Sequence, residues 1–357
     1  MANVVSRFLY CRQQLDVGDR LVQPDDPLGE LRLVELMRRG NDDDRQVLHG
    51  RLFAQLIDQL MRNADSALFK AKSSGRSTYA FYSEELTSQA RQRVELVTAL
   101  RQALEQGQLR LHYQPIYDLR QGTISGFEAL VRWQHPEKGL IAPGVFIPIA
   151  EETGLISAID HWVLEQACNQ AREWLGQGHP LGFIAVNISS RLFGNGELDL
   201  QVATILARSG LEARHLELEI TESAVMQDPD AALELLQRLR ALGVQLAIDD
   251  FGTGYSSLQR LKRMNVHKLK IDQGFVRGLP DDRDDAAITR SVIGLAHNLG
   301  LKVVAEGIET AEQAAFLLAQ NCDYGQGYGF ARPQPADAID WSPSELCHGQ
   351  ACRSSGR

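Results

Sequence analysis

Short apolar runs alternate with helix-length amphipathic segments from about residue 109 to residue 336. Segments such as Ala158–Gly176 and Asp284–Gly300 place apolar residues at helical spacing, and Leu299-Gly300 is a typical helix stop. Eight strands with helical crossovers over roughly 230 residues predict an α/β fold, a (β/α)8 barrel, with an open doubly wound sheet as the alternative. The predicted strands are Leu109–Tyr117, Ile124–Trp133, Phe183–Ser189, His215–Thr221, Val244–Asp250, His267–Asp272, Leu301–Glu306 and Asp323–Gly327.

Six of these strands carry a polar residue near the carboxyl end, although parallel strands buried on both faces are usually almost continuously apolar. In Leu218-Glu219-Ile220 and Val186-Asn187-Ile188, the polar side chain points away from its two apolar neighbours, because side chains alternate along a strand. If the neighbours pack against the helices, the polar set faces the barrel axis at the end where barrel enzymes build active sites. The set comprises Glu128, Asn187, Glu219, Asp249, Lys270 and Glu306.

Converging carboxylates repel one another unless a cation joins them. Oxygen ligands without cysteine or histidine point to Mg²⁺ or Mn²⁺, and adjacent Asp249 and Asp250 can serve two neighbouring ions. Two ions about 3.5–4 Å apart commonly activate water for phosphoryl displacement. Beside them, Lys270 should have a lowered pKa and could orient or deprotonate that water. The ordinary alternative for each residue, such as a salt bridge for Lys270, is weakened by the repetition over six strands.

Composition narrows the class of protein. The chain has 37 Lys+Arg and 46 Asp+Glu, a net charge of −9, which argues against binding duplex nucleic acid or an anionic membrane through bulk charge. It still allows a small phosphate-bearing ligand, since a metal ion reverses the local sign. Five scattered cysteines suit a reducing cytoplasm, and no apolar run reaches the roughly 18 residues of a membrane segment. We therefore expect a soluble cytoplasmic protein.

Seven sequence blocks, each at a strand end, together resemble the EAL-domain family of cyclic di-GMP phosphodiesterases over roughly residues 95–336. The blocks are Glu128-Ala129-Leu130, Asn187-Ile188-Ser189, Glu219-Ile220-Thr221-Glu222, Asp249-Asp250-Phe251-Gly252-Thr253-Gly254, Lys270-Ile271-Asp272, Glu306-Gly307-Ile308-Glu309 and Gln326-Gly327-Tyr328. The resemblance implies a barrel whose first strand is reversed. It also implies hydrolysis of cyclic di-GMP to linear pGpG with two Mg²⁺ or Mn²⁺ ions.

The resemblance also implies a role for individual residues. The metal ligands would be Glu128, which is also catalytic, and Asn187, Glu219, Asp249, Asp250 and Glu306. Lys270 would activate water, Gln326 would support the metal–water site, and Glu222 would hold the loop of residues 251–257. The substrate side would comprise Gln114-Pro115, Leu130, Arg132 for a phosphate, and Asp272. No signature position departs from the family pattern, which favours an active enzyme.

Residues 63–82 resemble the closing helix and strand of a GGDEF diguanylate cyclase domain, with an ordinary amphipathic helix as the alternative. No Gly-Gly-Asp-Glu-Phe motif precedes them, so we predict no synthesis of cyclic di-GMP. Either the chain is a fragment of a longer tandem protein or its start is a divergent remnant. The predicted organisation is a GGDEF-like remnant (1–83), a linker helix (84–108), an EAL domain (95–340) and a flexible tail (341–357).

Two other functions remain open at this stage. A catalytically silent EAL module would bind cyclic di-GMP and signal through a protein partner, and a misplaced 251–257 loop would produce that outcome. Another Mg²⁺-dependent barrel enzyme, for instance one that stabilises an enediolate, would not require the Asp249-Asp250 pair together with Lys270 and Gln326. We also expect a homodimer, as in homologous domains.

Overall fold

The computed structural model describes Met61, residues 84–252, residues 258–344 and Leu346. The chain divides into two units, Met1–Glu95 and Leu96–Arg357, and the barrel belongs to the second. The GGDEF-like segment at residues 63–82, residues 253–257 of the predicted active-site loop, and most of the predicted tail lie outside the described residues.

Eight strands close into a ring in the order β1-β9-β8-β7-β6-β5-β4-β2, and β1 pairs with β2 to complete it. The ring strands are β1 (Leu109–Asp118), β2 (Ile124–His135), β4 (Phe183–Ile188), β5 (Leu216–Thr221), β6 (Gln245–Phe251), β7 (Lys268–Ile271), β8 (Lys302–Ala305) and β9 (Tyr324–Gly325). Strand β1 runs antiparallel to β2 and β9, and the other ring neighbours are parallel. The barrel with a reversed first strand is confirmed, and the open doubly wound sheet is wrong.

A short strand, β3 (Gly139–Ile141), pairs antiparallel with the end of β2 outside the ring and was not predicted. Helix α1 (Glu84–Glu105) precedes β1. The helices that follow β3 connect the later strands of the ring. They are α2 (Pro143–Thr153), α3 (Ile156–Gly176), α4 (Ser190–Gly194), α5 (Leu198–Ser209), α6 (Glu222–Gln227), α7 (Pro229–Ala241), α8 (Leu258–Met264), α9 (Gln273–Val276), α10 (Arg283–Asn298) and α11 (Ala311–Ala319). Single 3₁₀ turns cover Ala213–His215 and Ala336–Ala338. None of the described helices is both long and apolar enough to cross a bilayer.

Local sequence signals explain where the helices begin and end. The Asp282 carboxylate accepts hydrogen bonds from the backbone N–H groups of Asp284 and Asp285 at 2.8 and 3.0 Å, which fixes the start of α10. The same helix ends before Gly300, whose φ of 76° lies in the left-handed region that favours glycine. The helix predicted over Asp284–Gly300 is therefore confirmed with slightly shifted bounds.

The apolar residues divide between two cores, as the alternation along the strands requires. Leu218 and Ile220 belong to the main core, which includes the buried faces of the surrounding helices. A separate small cluster contains Phe183, Ala185 and Val304, whose side chains alternate with main-core residues and therefore face the barrel axis. Asn187 and Glu219 share the parity of that inner set, so the strand-end polar residues point into the barrel.

Candidate active site

A break in strand pairing places two adjacent carboxylates differently at the end of β6. The register with β7 shifts between Ile248 and Phe251, and Asp250 has a positive φ of 54°. The side chain of Asp249 is buried and faces Lys270, whereas Asp250 is exposed. The backbone N–H of Asp250 donates to Asp249 Oδ1 at 2.9 Å, which holds this arrangement. Two consecutive carboxylates can therefore reach different points at the same rim.

The ammonium group of Lys270 is the point on which three strands converge. Its Nζ lies 2.6 Å from Glu219 Oε2, 2.6 Å from Glu306 Oε1 and 3.2 Å from Asp249 Oδ1. The Lys270 side chain is only 1% exposed. Because one positive charge faces three carboxylates in a site shielded from water, the cluster carries excess negative charge.

Amide side chains hold Glu128 on the other side of the site. Asn187 Nδ2 donates to Glu128 Oε1 at 2.5 Å, and Gln326 Nε2 donates to Glu128 Oε2 at 2.6 Å. The same Gln326 nitrogen lies 2.9 Å from Gln114 Oε1, and Gln114 faces Glu128 across the β1–β2 pair. Both Glu128 oxygens are therefore fixed by donors from other strands or the chain segment after β9.

The pKa values record the crowding of negative charge. Burial, with the charges of Asp249 and Glu128, raises the pKa of Glu306 to about 7 despite the opposing effect of Lys270. Burial likewise raises the pKa of Glu219 well above its ordinary value. Burial acts to lower the pKa of Lys270, but the surrounding carboxylates outweigh it and raise that pKa well above its usual value. The lowered pKa expected beside dications therefore does not arise from the protein side chains themselves.

The donor set fits a hard divalent cation. Carboxylate and amide oxygens surround the site, and the buried Glu219 Oε1 has no hydrogen-bond partner among the described residues. Across those residues, no three acidic, histidine or cysteine side chains form a ready metal cage. The carboxylates instead converge on the Lys270 ammonium, which provides a counter-charge for part of the set.

A cavity of about 230 Å³ opens onto these residues. Predicted site residues in its wall are Gln114, Glu128, Leu130, Asp249, Lys270, Glu306 and Gln326. Residues to which the sequence assigned no role complete the wall, namely Gln273, Gly307, Glu309, Gly327 and Tyr328. Tyr328 is 52% exposed, and the Arg332 guanidinium lies 4.4 Å from its ring centroid. A planar surface beside a cation is suited to an aromatic, negatively charged ligand.

Asn187, Glu219 and Asp250 do not line this cavity, although the first two contact Glu128 and Lys270. Arg132, Asp272 and Glu222 also lie outside its wall. Arg132 is half-buried, and its guanidinium donates to the Val131 carbonyl at 2.9 Å. The Asp272 carboxylate accepts from the Gly274 N–H at 2.8 Å and so begins α9. Glu222 is the first residue of α6 and is 6% exposed. Their predicted substrate and loop roles stay predictions.

A residue to which the sequence pattern assigned no role holds the end of β4. Asp160 of α3 accepts hydrogen bonds from the N–H and the hydroxyl of Ser189, two residues beyond Asn187. The Ser189 hydroxyl in turn accepts from the Leu192 N–H at 3.2 Å and begins α4. Burial raises the pKa of Asp160 to about 6. An acidic residue on the apolar face of a predicted helix is the signal that could have identified it.

Gly327 is required by a close approach of two backbones beside the site. A Cβ atom there would lie 2.1 Å from the Ile308 carbonyl oxygen, which no side chain can accommodate. The Ile308 N–H donates to the Gln326 carbonyl at 3.0 Å, so this contact fixes the residue that binds Glu128. Close packing against Ile308 therefore requires a glycine directly after Gln326.

Comparison with known proteins identifies one family and a group of relatives. The profile described as EAL domain matches residues 97–333. The chain is 49% identical over 285 residues to the bifunctional diguanylate cyclase/cyclic di-GMP phosphodiesterase MucR of Pseudomonas aeruginosa, a match that covers 80% of this chain and 42% of MucR. It is 45% identical over 283 residues to the cyclic di-GMP phosphodiesterase NbdA of the same organism, covering 79% of this chain and 36% of NbdA. The chain thus matches less than half the length of these relatives.

Solved structures show the same fold with ligand bound. The PaMucR phosphodiesterase in complex with c-di-GMP has a TM-score of 0.66 and 51% identity, covering 68% of this chain and 98% of that one. The FimX EAL domain from Pseudomonas aeruginosa bound to c-di-GMP has a TM-score of 0.64 and 28% identity, covering 70% of this chain and all of that one.

Proposed function

The chain belongs to the EAL domain family, and on that premise we propose that it hydrolyses one phosphodiester of cyclic di-GMP to linear pGpG in second-messenger signalling. The observation that carries the proposal is the convergence of Glu219, Asp249 and Glu306 on Lys270 at the carboxyl ends of the strands. The excess of negative charge at such a site suits the binding of the divalent ions that catalyse phosphoryl transfer.

Mg²⁺ or Mn²⁺ would be held by the oxygen donors at the rim. The proposed ligands are Glu128, Asn187, Glu219, Asp249, Asp250 and Glu306. Two bound ions supply charge neutralisation at the phosphate and a nucleophilic water. Excess carboxylate charge and the unpartnered Glu219 Oε1 support this assignment.

The protein's own groups position the reactants. Asn187 and Gln326 fix both carboxylate oxygens of Glu128, so Glu128 can present a constant geometry to a metal ion. We assign Lys270 the orientation of the attacking water by hydrogen bonding, because its pKa is raised and it remains an ammonium among the carboxylates. In the net reaction the water oxygen bonds to phosphorus, the bond from phosphorus to the 3′ oxygen breaks, and that oxygen takes up a proton.

The cavity beside the cluster supplies substrate contacts. Gln114 and Leu130 line it, and Tyr328 offers an exposed ring against which a base can stack. The Arg332 guanidinium lies over this ring, and Arg132 interacts electrostatically with Tyr328, so both positive charges suit the phosphates of a cyclic dinucleotide. As part of the same proposal, Glu222 holds the loop of residues 251–257, and Asp272 contacts the substrate.

We also propose that the protein is a cytoplasmic homodimer, that a GGDEF-like remnant precedes its EAL domain, and that the domain boundaries are those predicted from the sequence. The family match over residues 97–333 supports the extent of the EAL domain. A sedimentation measurement of the purified chain would test the dimer.

The proposal is tested with purified protein, cyclic di-GMP and Mn²⁺ or Mg²⁺, with linear product followed by chromatography. Glu128→Ala should lower turnover more than about a hundredfold, because it removes a metal ligand that two amides hold in place. Glu234→Ala, an exposed glutamate of α7, is the matched control and should retain activity. Excess EDTA should stop the reaction.

Three results would oppose the proposal. Turnover that persists in EDTA would remove the metals from the mechanism. Full activity of the Glu128→Ala variant would displace the site. Tight binding of cyclic di-GMP without any product would establish the silent binding module instead.

A further inference from the structure

A second cavity, of about 690 Å³, opens at the end of the barrel opposite to the cluster around Lys270. It lies where β6, β7 and β8 begin, and Gln245, Lys268 and Lys302 from those strands line it. The last turns of α7 and α8 contribute Arg240 and Lys262 to the wall. Nothing in the proposed hydrolysis uses this cavity.

The charge of this cavity is opposite to that of the whole chain. Among the residues that the structure describes, its wall contains five basic residues and no aspartate or glutamate, in a chain of net charge −9. The basic residues are Arg240, Lys262, His267, Lys268 and Lys302. A cluster of like charges costs energy unless a ligand or neighbouring carboxylates offset it.

Carboxylates behind the wall offset two of these charges. Lys268 Nζ lies 2.7 Å from Glu217 Oε2, and Lys302 Nζ lies 2.6 Å from Asp323 Oδ1. Within the described part of the chain, Arg240 and Lys262 form no ion pair with a carboxylate. The Arg240 guanidinium donates to the Asn265 carbonyl, a contact that leaves its charge in place. At least two positive charges therefore face the cavity without a counter-charge.

His267 adds a directed donor to the same wall. Its Nδ1 accepts a hydrogen bond from the Leu246 N–H at 3.0 Å, so the ring proton of the neutral imidazole is on Nε2. Burial lowers the pKa of His267, and the charges of Arg240 and Lys268 lower it further. The lowered pKa agrees with a positive potential in the cavity.

Basic residues in the last turn of a helix also complement the helix dipole, and this accounts for part of the pattern. Arg238 and Arg263 serve that purpose on α7 and α8 without entering the cavity wall. The dipole does not explain why cations from two helices and from the starts of two strands converge on one concave space. That convergence is the feature that needs a ligand.

We propose that this basic cavity binds a small phosphate-bearing anion. Arg240 supplies a planar guanidinium, Lys262 an exposed ammonium and His267 an imidazole N–H, all of which are donor types that bind phosphate oxygens. The anion site shares strand β7 with Lys270 but lies at the other end of the barrel. It does not depend on the chain being a phosphodiesterase.

Isothermal titration of the full chain with inorganic pyrophosphate tests the proposal. EDTA is present and no divalent ion is added, so that the acidic cluster repels the probe. We expect saturable binding that weakens as the salt concentration rises, because the contacts are between exposed charges. Lys262→Glu should raise Kd by about tenfold or more, since it replaces an attracting charge by a repelling one.

Two variants serve as controls. Arg263→Glu makes the same change of charge at the next residue of α8, outside the wall, and should change Kd less than about twofold. Glu128→Ala, in the phosphodiesterase site, should bind pyrophosphate as the unmodified chain does. Circular dichroism confirms that each variant is folded.

The proposal fails if the unmodified chain does not bind pyrophosphate. It also fails if Lys262→Glu and Arg263→Glu weaken binding equally, because the effect would then be general surface charge. Tighter binding in Glu128→Ala, which removes a repelling carboxylate, would place the anion at the phosphodiesterase site.

Discussion

Replacement of Lys270 by methionine would leave three carboxylates without the ammonium on which they converge. Glu219 and Glu306 lie 2.6 Å from Lys270 Nζ, and Asp249 lies 3.2 Å away. Methionine has nearly the same length, so the change removes the charge with little change of volume. The perturbation therefore reports on the charge of the cluster.

The expected loss of stability follows from the burial of this cluster. Removing one partner of a buried ion pair usually costs about 3–5 kcal/mol, because the other charge remains buried and unpaired. Each kcal/mol shifts Tm by about 2–4 °C in a domain of this size, so Lys270→Met should lower Tm by roughly 6–20 °C. Lys302→Met is the matched control, since Lys302 is 60% exposed and Asp323, which is 10% exposed, keeps its contacts with His297 and the Val303 N–H. A pair whose cation is exposed contributes about 0–1 kcal/mol, which corresponds to a shift of at most about 4 °C.

Thermal unfolding of both variants near pH 8 and near pH 5.5 is the assay. Loss of the ammonium raises the pKa of the carboxyl groups in the folded protein above their unfolded values. The free-energy cost of these buried charges is present above the pKa that the carboxyl groups have in the folded protein, and it is relieved as pH falls through that pKa. The Tm difference between Lys270→Met and the unmodified chain should therefore be smaller near pH 5.5. Near pH 8, added Mn²⁺ should raise the Tm of this variant by more than it raises the Tm of the unmodified chain.

Two results would refute this reasoning. If Lys270→Met and Lys302→Met have the same Tm near pH 8, the buried cluster does not depend on its cation. If Mn²⁺ leaves the Tm of Lys270→Met unchanged, the carboxylates do not bind a divalent ion.

Two further variants test the support of the site. Burial raises the pKa of Asp160 to about 6, so the cost of burying its charge is present above pH 6 and is relieved as pH falls. The unfolding free energy of the unmodified chain minus that of Asp160→Asn should therefore rise by about 2–2.5 kcal/mol between roughly pH 7 and pH 4. Urea unfolding over this range measures the difference, and a flat difference would contradict the assignment. Gly327→Ala would press a Cβ against the Ile308 carbonyl and should cost more than about 2 kcal/mol, whereas Gly294→Ala, in an open position of α10, should stabilise by up to about 1 kcal/mol. Equal melting temperatures of the two alanine variants would contradict the packing argument.

The alternation of apolar strands with amphipathic helices predicted the barrel, with an open doubly wound sheet left as the alternative. Its eight ring strands fall where the apolar runs do, because side chains must divide between the axis and the helices. The reversed direction of β1 came from the family resemblance, since a single strand pattern carries no direction. Strand β3 has three residues and no distinctive period, so the sequence gives little sign of it.

The site was predicted as a set of strand ends, and the structure adds its internal connections. That Asn187 and Gln326 both donate to Glu128 depends on how strands far apart in sequence meet, which composition and spacing do not determine. The contact of Asp160 with Ser189 likewise joins a helix to a strand end. The raised pKa of Lys270 depends on the number of carboxylates around it, which only three-dimensional placement reveals.

Residues near the site differ in how well the sequence located them. Leu130 and Gln114 line the cavity because their strand parity points them to the axis, and their substrate role stays a prediction from the family resemblance. Tyr328 lies beyond the last strand, where alternation no longer applies, and its exposure could not be predicted from the pattern. The Asp272 side chain accepts a hydrogen bond from the Gly274 N–H and so begins α9. The sequence had suggested only a substrate contact for this residue.

The account rests most directly on what becomes of a bound cyclic dinucleotide. Purified chain incubated with equimolar cyclic di-GMP and Mn²⁺ can be denatured after a single turnover, and the released nucleotide identified by chromatography. We predict linear pGpG from the unmodified chain and intact cyclic di-GMP from Glu128→Ala. Intact cyclic di-GMP recovered from the unmodified chain, after complete binding, would contradict the assignment of the strand-end cluster as a hydrolytic site.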